Sequence, residues 1–206
     1  EAMDLLASHG VSVLPHLWVR NREDMAAAGE RLGWPVAVKV VSPQIIHKSE
    51  HGGVALNIAD QAAAEAAFDA MARAAADSEF MGVVVYPMRK GGHETIVGLT
   101  HDAQFGPVVA FGMGGVFTEV FRDVALRVAP LSHNEALGMI QSVKAYKILC
   151  GARGGVKKDI SALADMLVRL SELMFVYDDI AEVDLNPVFA YEDGALVADA
   201  RILLKK

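Results

Sequence analysis

The sequence predicts a mixed fold, α/β shading into α+β, laid out as two lobes, and three observations carry that expectation. Helical and strand patterns alternate along all 206 residues, as they do where helices pack on sheets. Turn-forming residues interrupt the pattern around 86–92, where Pro87 and the Gly91-Gly92 pair fall. One lobe is therefore expected over 11–86 and a second over 87–206. The closing stretch EVDLNPVFAYEDGALVADARI reads as a β-hairpin that turns on Glu192-Asp193-Gly194 between apolar runs. With 53% hydrophobic and 22% charged residues the chain is globular, not disordered. At this length roughly 70% of the unfolded surface becomes buried on folding.

Each element has a local reason. Residues 2–8 read as a helix that stops at Gly10, and 21–32 as a second, built on Ala26, Ala27 and Ala28 and ended by Gly33. The β-branched run PVAVKVV (35–41) is a strand. A polar loop leads from it to Gly52-Gly53, and 54–58 resumes as strand. Asp60 caps a long Ala-rich helix. The apolar run MGVVVYPM (81–88) then completes a β-α-β lobe around one sheet. Further on, 94–100 and 106–111 are strands, followed by a Gly-rich loop, Gly112-Met113-Gly114-Gly115. Ser132 and Glu135 have capping-box spacing. Over 160–175, Leu163, Met166, Leu167, Leu170 and Leu173 recur at helical spacing and are assigned to the core. No internal repeat is found.

Charge and cysteine content narrow the function classes. A net charge of −7 argues against a nucleic-acid backbone as partner. No apolar run reaches the roughly 18–20 residues that span a bilayer, and no signal-peptide pattern opens the chain. The single Cys150 excludes an internal disulfide and suits a reducing, cytoplasmic setting. The chain opens on Glu1 without an initiator Met, which suits a piece of a longer polypeptide.

The candidate chemistry is that of phosphate and a hard cation. Asn186 and Asp199, on the two arms of the hairpin, are expected to point an amide oxygen and a carboxylate at one spot. Mg²⁺ that serves nucleotide chemistry takes one or two protein oxygens and fills its other positions with phosphates and water. The same segment also suits an ordinary hairpin at a solvent edge; Lys39 tips the balance. It interrupts the apolar strand VAVKVV with apolar neighbours on its own face: an ammonium so placed calls for an anion, phosphate being a common one, the alternative being an edge lysine that snorkels to water. The loop SPQIIHKSEHGGV carries His47 and the glycines Gly52-Gly53, whose backbone can close around phosphate. His47 is either a solvated loop residue or a phosphoryl acceptor, since imidazole is a competent nucleophile near neutral pH. FGMGGVF departs from the dinucleotide-binding spacing and reads as a lid or turn. Glu119 and Arg127 alternate with apolar residues, so both can face one cleft; Arg127 reads either as a phosphate ligand or, equally, as a surface arginine paired with Asp123. No histidine has zinc-site spacing, and neither a Walker A loop nor a GxSxG elbow is present.

Taken in order, AVKVVSPQIIHKSEHGGV, HETIVGLTHDAQFGPVVAFGMGGVFTEVFRDVALRVAPL and AEVDLNPV resemble the ATP-grasp subunit of the ADP-forming acyl-CoA synthetases, a family similar to the succinyl-CoA synthetase β chain. The resemblance runs from Leu5 to Leu204 and implies two α/β lobes gripping ATP, with ATP/ADP and Mg²⁺ as cofactors. It implies that Lys39 holds nucleotide phosphates beneath the Gly52-Gly53 loop. Val84, Val85 and Tyr86 would present backbone groups to adenine, and Glu94 would match the family's acid at the nucleotide. Asn186 and Asp199 would match the Mg²⁺ ligands, and His47 a histidine thought to relay phosphate between distant sites. Arg127 and Arg153 are phosphate candidates.

One departure from the family pattern matters. The full reaction needs a CoA-binding domain and a phosphorylated histidine on a partner, and neither is in this sequence. The expectation is a phosphoryl-transfer module that works with a CoA-binding α subunit or fused domain, through which a carboxylic acid and CoA react. A catalytically silent regulatory domain of a larger acyltransferase fusion is the alternative. An ATP-dependent carboxylate–amine ligase is a third reading, and no acceptor-pocket motif supports it.

Overall fold

The computed structural model describes residues 1–44, 52–115 and 123–205. It divides into two compact units, Leu14–Lys90 and a second made of Glu1–Val13 with Gly91–Lys206. The opening helix α1 (Ala2–Ser8) thus belongs with the C-terminal half, on β10 (Ala200–Leu204).

The smaller unit is a four-stranded antiparallel sheet in the order β1-β4-β2-β3, made of β1 (Leu17–Val19), β2 (Val36–Val40), β3 (Val54–Ile58) and β4 (Val83–Pro87). Helices α2 (Met25–Leu32) and α3 (Gln61–Ala74) pack against it. Val36, Val38 and Val40 of β2 are almost wholly buried against Met25, Phe68 and Met71, so the β-branched run sits where its apolar area is removed from water. Asp60 does cap α3, its carboxylate accepting the Ala63 N–H at 2.9 Å. β1 has only three residues and carries no period a sequence pattern could reveal.

The larger unit centres on a second antiparallel sheet in the order β10-β8-β5-β6-β7, formed by β5 (His93–Asp102), β6 (Gly106–Met113), β7 (Val124–Val128), β8 (Ile180–Tyr191) and β10; β9 (Gly194–Val197) pairs on β8. Helices α4 (His133–Ser142) and α6 (Ile160–Val176) cover one face, with α5 (Tyr146–Leu149) joining them. Their apolar stripes bury Met139, Ile140, Leu163, Leu167, Leu170 and Leu173 completely. The capping box of α4 is complete: Ser132 Oγ accepts from Glu135 N, and the Glu135 carboxylate accepts from Ser132 N at 2.8 Å. Gly112 and Met113, expected in a loop, continue β6 because each has a partner on β5, Ile96 and Thr95. No helix among the described residues is long and apolar enough to cross a membrane.

Candidate functional site

In the smaller unit the expected phosphate group starts from Lys39. It lies on β2 between Val54 of β3 and Val84 of β4, half-buried, with Nζ 5.1 Å from the centre of the Tyr86 ring. Gly53 enters β3 directly beside it, its carbonyl accepting the Val40 N–H at 2.8 Å. The strand therefore sets Lys39, the Gly52-Gly53 turn and Tyr86 in one neighbourhood. Val84 and Val85 are paired on both sides, with Trp18 and Lys39 and with Leu17 and Val38. Their main-chain groups are thus consumed by the sheet. The β1 ladder stops at Leu17, and Tyr86 and Pro87, opposite Ala37 and Val36 of β2, lie beyond it.

In the larger unit the register sorts side chains by face, since residues directly opposite one another share one. One rung runs Arg201–Asp184–Gly98–Ala110–Leu126 across β10, β8, β5, β6 and β7. The rung beside it, Ile202–Val183–Leu99–Val109–Arg127, belongs to the helix-covered face, where Val183, Leu99 and Val109 are buried. Arg127 therefore does not lie on the face that carries Asp184, and its Nη1 donates to the Leu126 carbonyl at 2.8 Å. Alternation with apolar residues was read from the sequence without its parity, and parity decides the face.

Asn186, expected on the first arm of the hairpin, lies within β8, whereas Asp199, expected on the second arm, lies in the break between β9 and β10. Pro187 offers no N–H to the ladder, and the pairing with β5 slips there from Thr95–Val188 to Val97–Leu185. Two backbone bonds hold the irregularity: Asn186 N donates to the Asp199 carbonyl at 3.2 Å, and Ala198 N to the Pro187 carbonyl at 3.0 Å. The bulge sets an exposed amide beside a half-buried carboxylate. Asp184, which the sequence reading passed over, stands two residues before Asn186. Its carboxyl is raised above the ordinary carboxylate value, chiefly by burial and also by Glu182 and Asp199, against the pull of Arg201. The period-2 pattern of Glu182, Asp184 and Asn186 in EVDLN was the available signal.

Glu94 pairs with Phe189 of β8 and its carbonyl accepts the Gly114 N–H at 2.8 Å. A Cβ on Gly114 would stand 2.9 Å from Glu94 Cβ, so glycine is what lets the turn after β6 close over this acid. A cavity of about 230 Å³ opens there, lined by Gly92, His93, Glu94, Met113 and Gly114-Gly115. His93, another residue missed from sequence, is held below the ordinary imidazole value by burial and then by the charge of Lys158. Lys158 is itself buried and donates to the Gly91 carbonyl at 2.9 Å. His47 and Glu119 lie outside the described residues, as does the side chain of Arg153.

Two antiparallel sheets with flanking helices, a lysine and glycine turn on one and an acid, an amide and a carboxylate on the other, make up a nucleotide-binding class of protein. A family model of the ATP-grasp domain matches residues 1–204, and the chain belongs to the ATP-grasp family. It is 45% identical to the β subunit of ADP-forming acetate–CoA ligase I of Pyrococcus furiosus, over 90% of that subunit and 99% of the present sequence. It is 42% identical to the ADP-forming acetate–CoA ligase I of Archaeoglobus fulgidus, a longer polypeptide of which it spans only 30%. Among solved structures it superposes on the dinucleotide-forming acetyl-coenzyme A synthetase 1 of Ca. Korarchaeum cryptofilum, in complex with coenzyme A, Ca-AMPCP and HgCl+. There the TM-score is 0.96 at 42% identity, over 100% of the present sequence and 91% of the synthetase chain. The same synthetase with coenzyme A and Mg-AMPPCP, its phosphohistidine segment pointing towards the nucleotide-binding site, matches with a TM-score of 0.87 at 42% identity, over 100% and 91%.

Proposed function

We propose that this chain is the ATP-binding, phosphoryl-transferring component of an ADP-forming acid–CoA ligase, moving phosphate reversibly between ATP and a histidine. Its CoA-binding partner, a separate α subunit or a fused domain, makes acyl-CoA from a carboxylic acid and CoA. The observation that carries this reading is the near-complete, two-sided match to acetate–CoA ligase β subunits together with the Asn186–Asp199 pair.

The residues fit a divalent cation shared with a nucleotide. Asn186 and Asp199 are joined by a backbone hydrogen bond, so an amide-bearing and a carboxylate-bearing residue face each other across the strands, and no group of three His, Cys, Asp or Glu among the described residues forms an all-protein cage. Asn186 and Asp199 would hold Mg²⁺, which when bound neutralises phosphate charge as the transition state develops. Lys39 grips phosphate oxygens beneath Gly52-Gly53, Glu94 takes the nucleotide's hydroxyl or amino groups, and Tyr86 borders the base. Positioning and charge compensation then account for most of the acceleration. The lone pair of a neutral imidazole nitrogen forms the N–P bond while the bond from the γ-phosphorus to the β,γ-bridging oxygen breaks. The electron pair leaves with ADP, no redox change occurs, and the ring's other nitrogen keeps its proton or yields it to water. His47 is a second station for the phosphoryl group. A cytoplasmic setting suits the exposed free thiol of Cys150.

Isothermal titration with ATP in the presence of Mg²⁺ tests the reading. Saturable one-site binding is expected, and its absence rejects the function.

A further inference from the structure

The side chain of Lys158 is only 5% exposed, and neither the cation site nor the phosphate group accounts for it. Burying an ammonium costs free energy that an apolar side chain of similar length does not, unless its donors are satisfied. Its ion pair with Glu192 is long, 3.9 Å, and Glu192 is 59% exposed, so that pair contributes little. The firm contact is the 2.9 Å bond from Lys158 Nζ to the Gly91 carbonyl. No described atom lies within 4 Å of where a Cβ on Gly91 would stand, so packing does not hold that residue and the hydrogen bond does. Gly92, His93 and Glu94 follow, and a Cβ on Gly92 would stand 2.8 Å from Tyr191 Cε1, so the chain is pressed onto β8 here. Through its main chain Lys158 holds a second segment: its N–H donates to the Leu149 carbonyl at 2.8 Å, beside Ile148 of α5. The next residue, Asp159, donates its N–H to the Tyr191 carbonyl at 2.7 Å and fixes Lys158 to β8. The cavity of about 230 Å³ takes Gly92, His93 and Glu94 of its lining from the first segment and Ile148 from the second. Lys158 ties the two together.

We infer that Lys158 is a positioning residue for nucleotide binding: by holding the Gly91 carbonyl and the end of α5 it keeps Glu94 and the cavity beside it in the arrangement that receives the nucleotide. The inference rests on the phosphoryl-transfer reading, with Glu94 as the acid at the nucleotide. Lys158 is outside the described lining of the cavity, so it acts through the segments it holds. Its charge also reaches His93 of that lining and helps to keep the imidazole neutral. A residue that orders a site in advance lowers the cost of binding, and it serves ground state and transition state alike. The mark of such a role is a raised KM at unchanged kcat. A lysine needed only for folding would instead change the fraction of folded protein and leave the affinity of each folded molecule as it was.

The test turns on Lys158→Met, which keeps the buried stem and removes the ammonium. Calorimetry of the full chain with ATP and Mg²⁺ should show a Kd about tenfold weaker, the scale of one charged hydrogen bond, at unchanged stoichiometry. Glu192→Gln removes only the long ion pair and should bind as the wild type does. In the complete enzyme, with its CoA-binding subunit or domain, Lys158→Met should raise KM for ATP by a similar factor while kcat stays within about twofold. In a Glu94→Gln background the same change should add less than about twofold, because residues that act as one unit do not add. Lys158→Gln, one atom short of the carbonyl, takes its place in each comparison if Lys158→Met unfolds. Wild-type affinity, a fall in stoichiometry at unchanged Kd, an equal loss in Glu192→Gln, full addition of the two losses, or a loss confined to kcat each overturns the inference. If the wild-type chain binds no ATP, the phosphoryl-transfer reading itself has failed. If it binds ATP and Glu94→Gln binds as tightly, the assignment of Glu94 has failed and the inference with it.

Discussion

Lys39 and the Asn186–Asp199 pair have separable jobs at the residue scale. A charge-assisted hydrogen bond to phosphate is worth about 1.5–3 kcal/mol, so Lys39→Ala should weaken ATP binding by roughly ten- to a hundredfold at any Mg²⁺ concentration. Asp199→Ala should instead raise the Mg²⁺ needed for half-saturation. Calorimetry at two Mg²⁺ concentrations distinguishes them, and identical behaviour of the two variants contradicts the division. His93 supplies a pH signature. Its folded-state pKa lies below the ordinary 6.5, so the unfolded chain takes up the proton first as the solution is acidified. Stability from neutral His93 is present above that value and is lost as pH falls through it. His93→Gln should flatten the dependence of the urea midpoint between about pH 7.5 and 5; an unchanged slope would show that His93 is not the cause. Lys39, Asn186 and Asp199 stand out in the sequence because each sets a polar group in an apolar context, and the structure puts Lys39 on β2 and joins Asn186 to Asp199 by a backbone hydrogen bond. The face of Arg127 and the place of Asp184 were not legible, because the face of a strand residue depends on register with neighbours distant in sequence.

Elements were legible where a local device specifies them. The α4 capping box, the Asp60 cap and the Leu stripe of α6 each act within a turn or two, and the structure carries all three. β7 was not legible: Val124, Leu126, Arg127 and Val128 are all exposed and only Ala125 is partly covered, so the edge strand shows no alternation of burial. The break in β8 was hidden as well, since it arises where Pro187 meets the bulge opposite Ile96. The α6 cap gives a direct check. Asp159 accepts the Ala162 N–H at 2.9 Å, and Asp159→Ala should cost about 1 kcal/mol, a fall in Tm of about 2–4 °C. Leu167, fully buried on the same helix, should cost about 2–5 kcal/mol on truncation to Ala. Chemical denaturation ranks the two, and a larger loss for the cap would mean that α6 is held by its end and not by its apolar face.

For the molecule as a whole, the family was legible from three motifs in order, while the grouping of α1 with the C-terminal unit was not, because nothing in residues 2–8 names the strand they pack on. By itself the chain should bind Mg·ATP yet form no acyl-CoA from acetate and CoA; adding its CoA-binding partner should restore the product, as followed by thioester absorbance. Product formed without the partner would contradict a division of labour. The most direct measurement is a crystal structure of this chain with Mg-AMPPCP. Lys39 Nζ within hydrogen-bond distance of a phosphate oxygen, with Asn186 and Asp199 on the metal of the same nucleotide, is the predicted result. A nucleotide that meets only one of these two groups, or a metal held by other side chains, would contradict it.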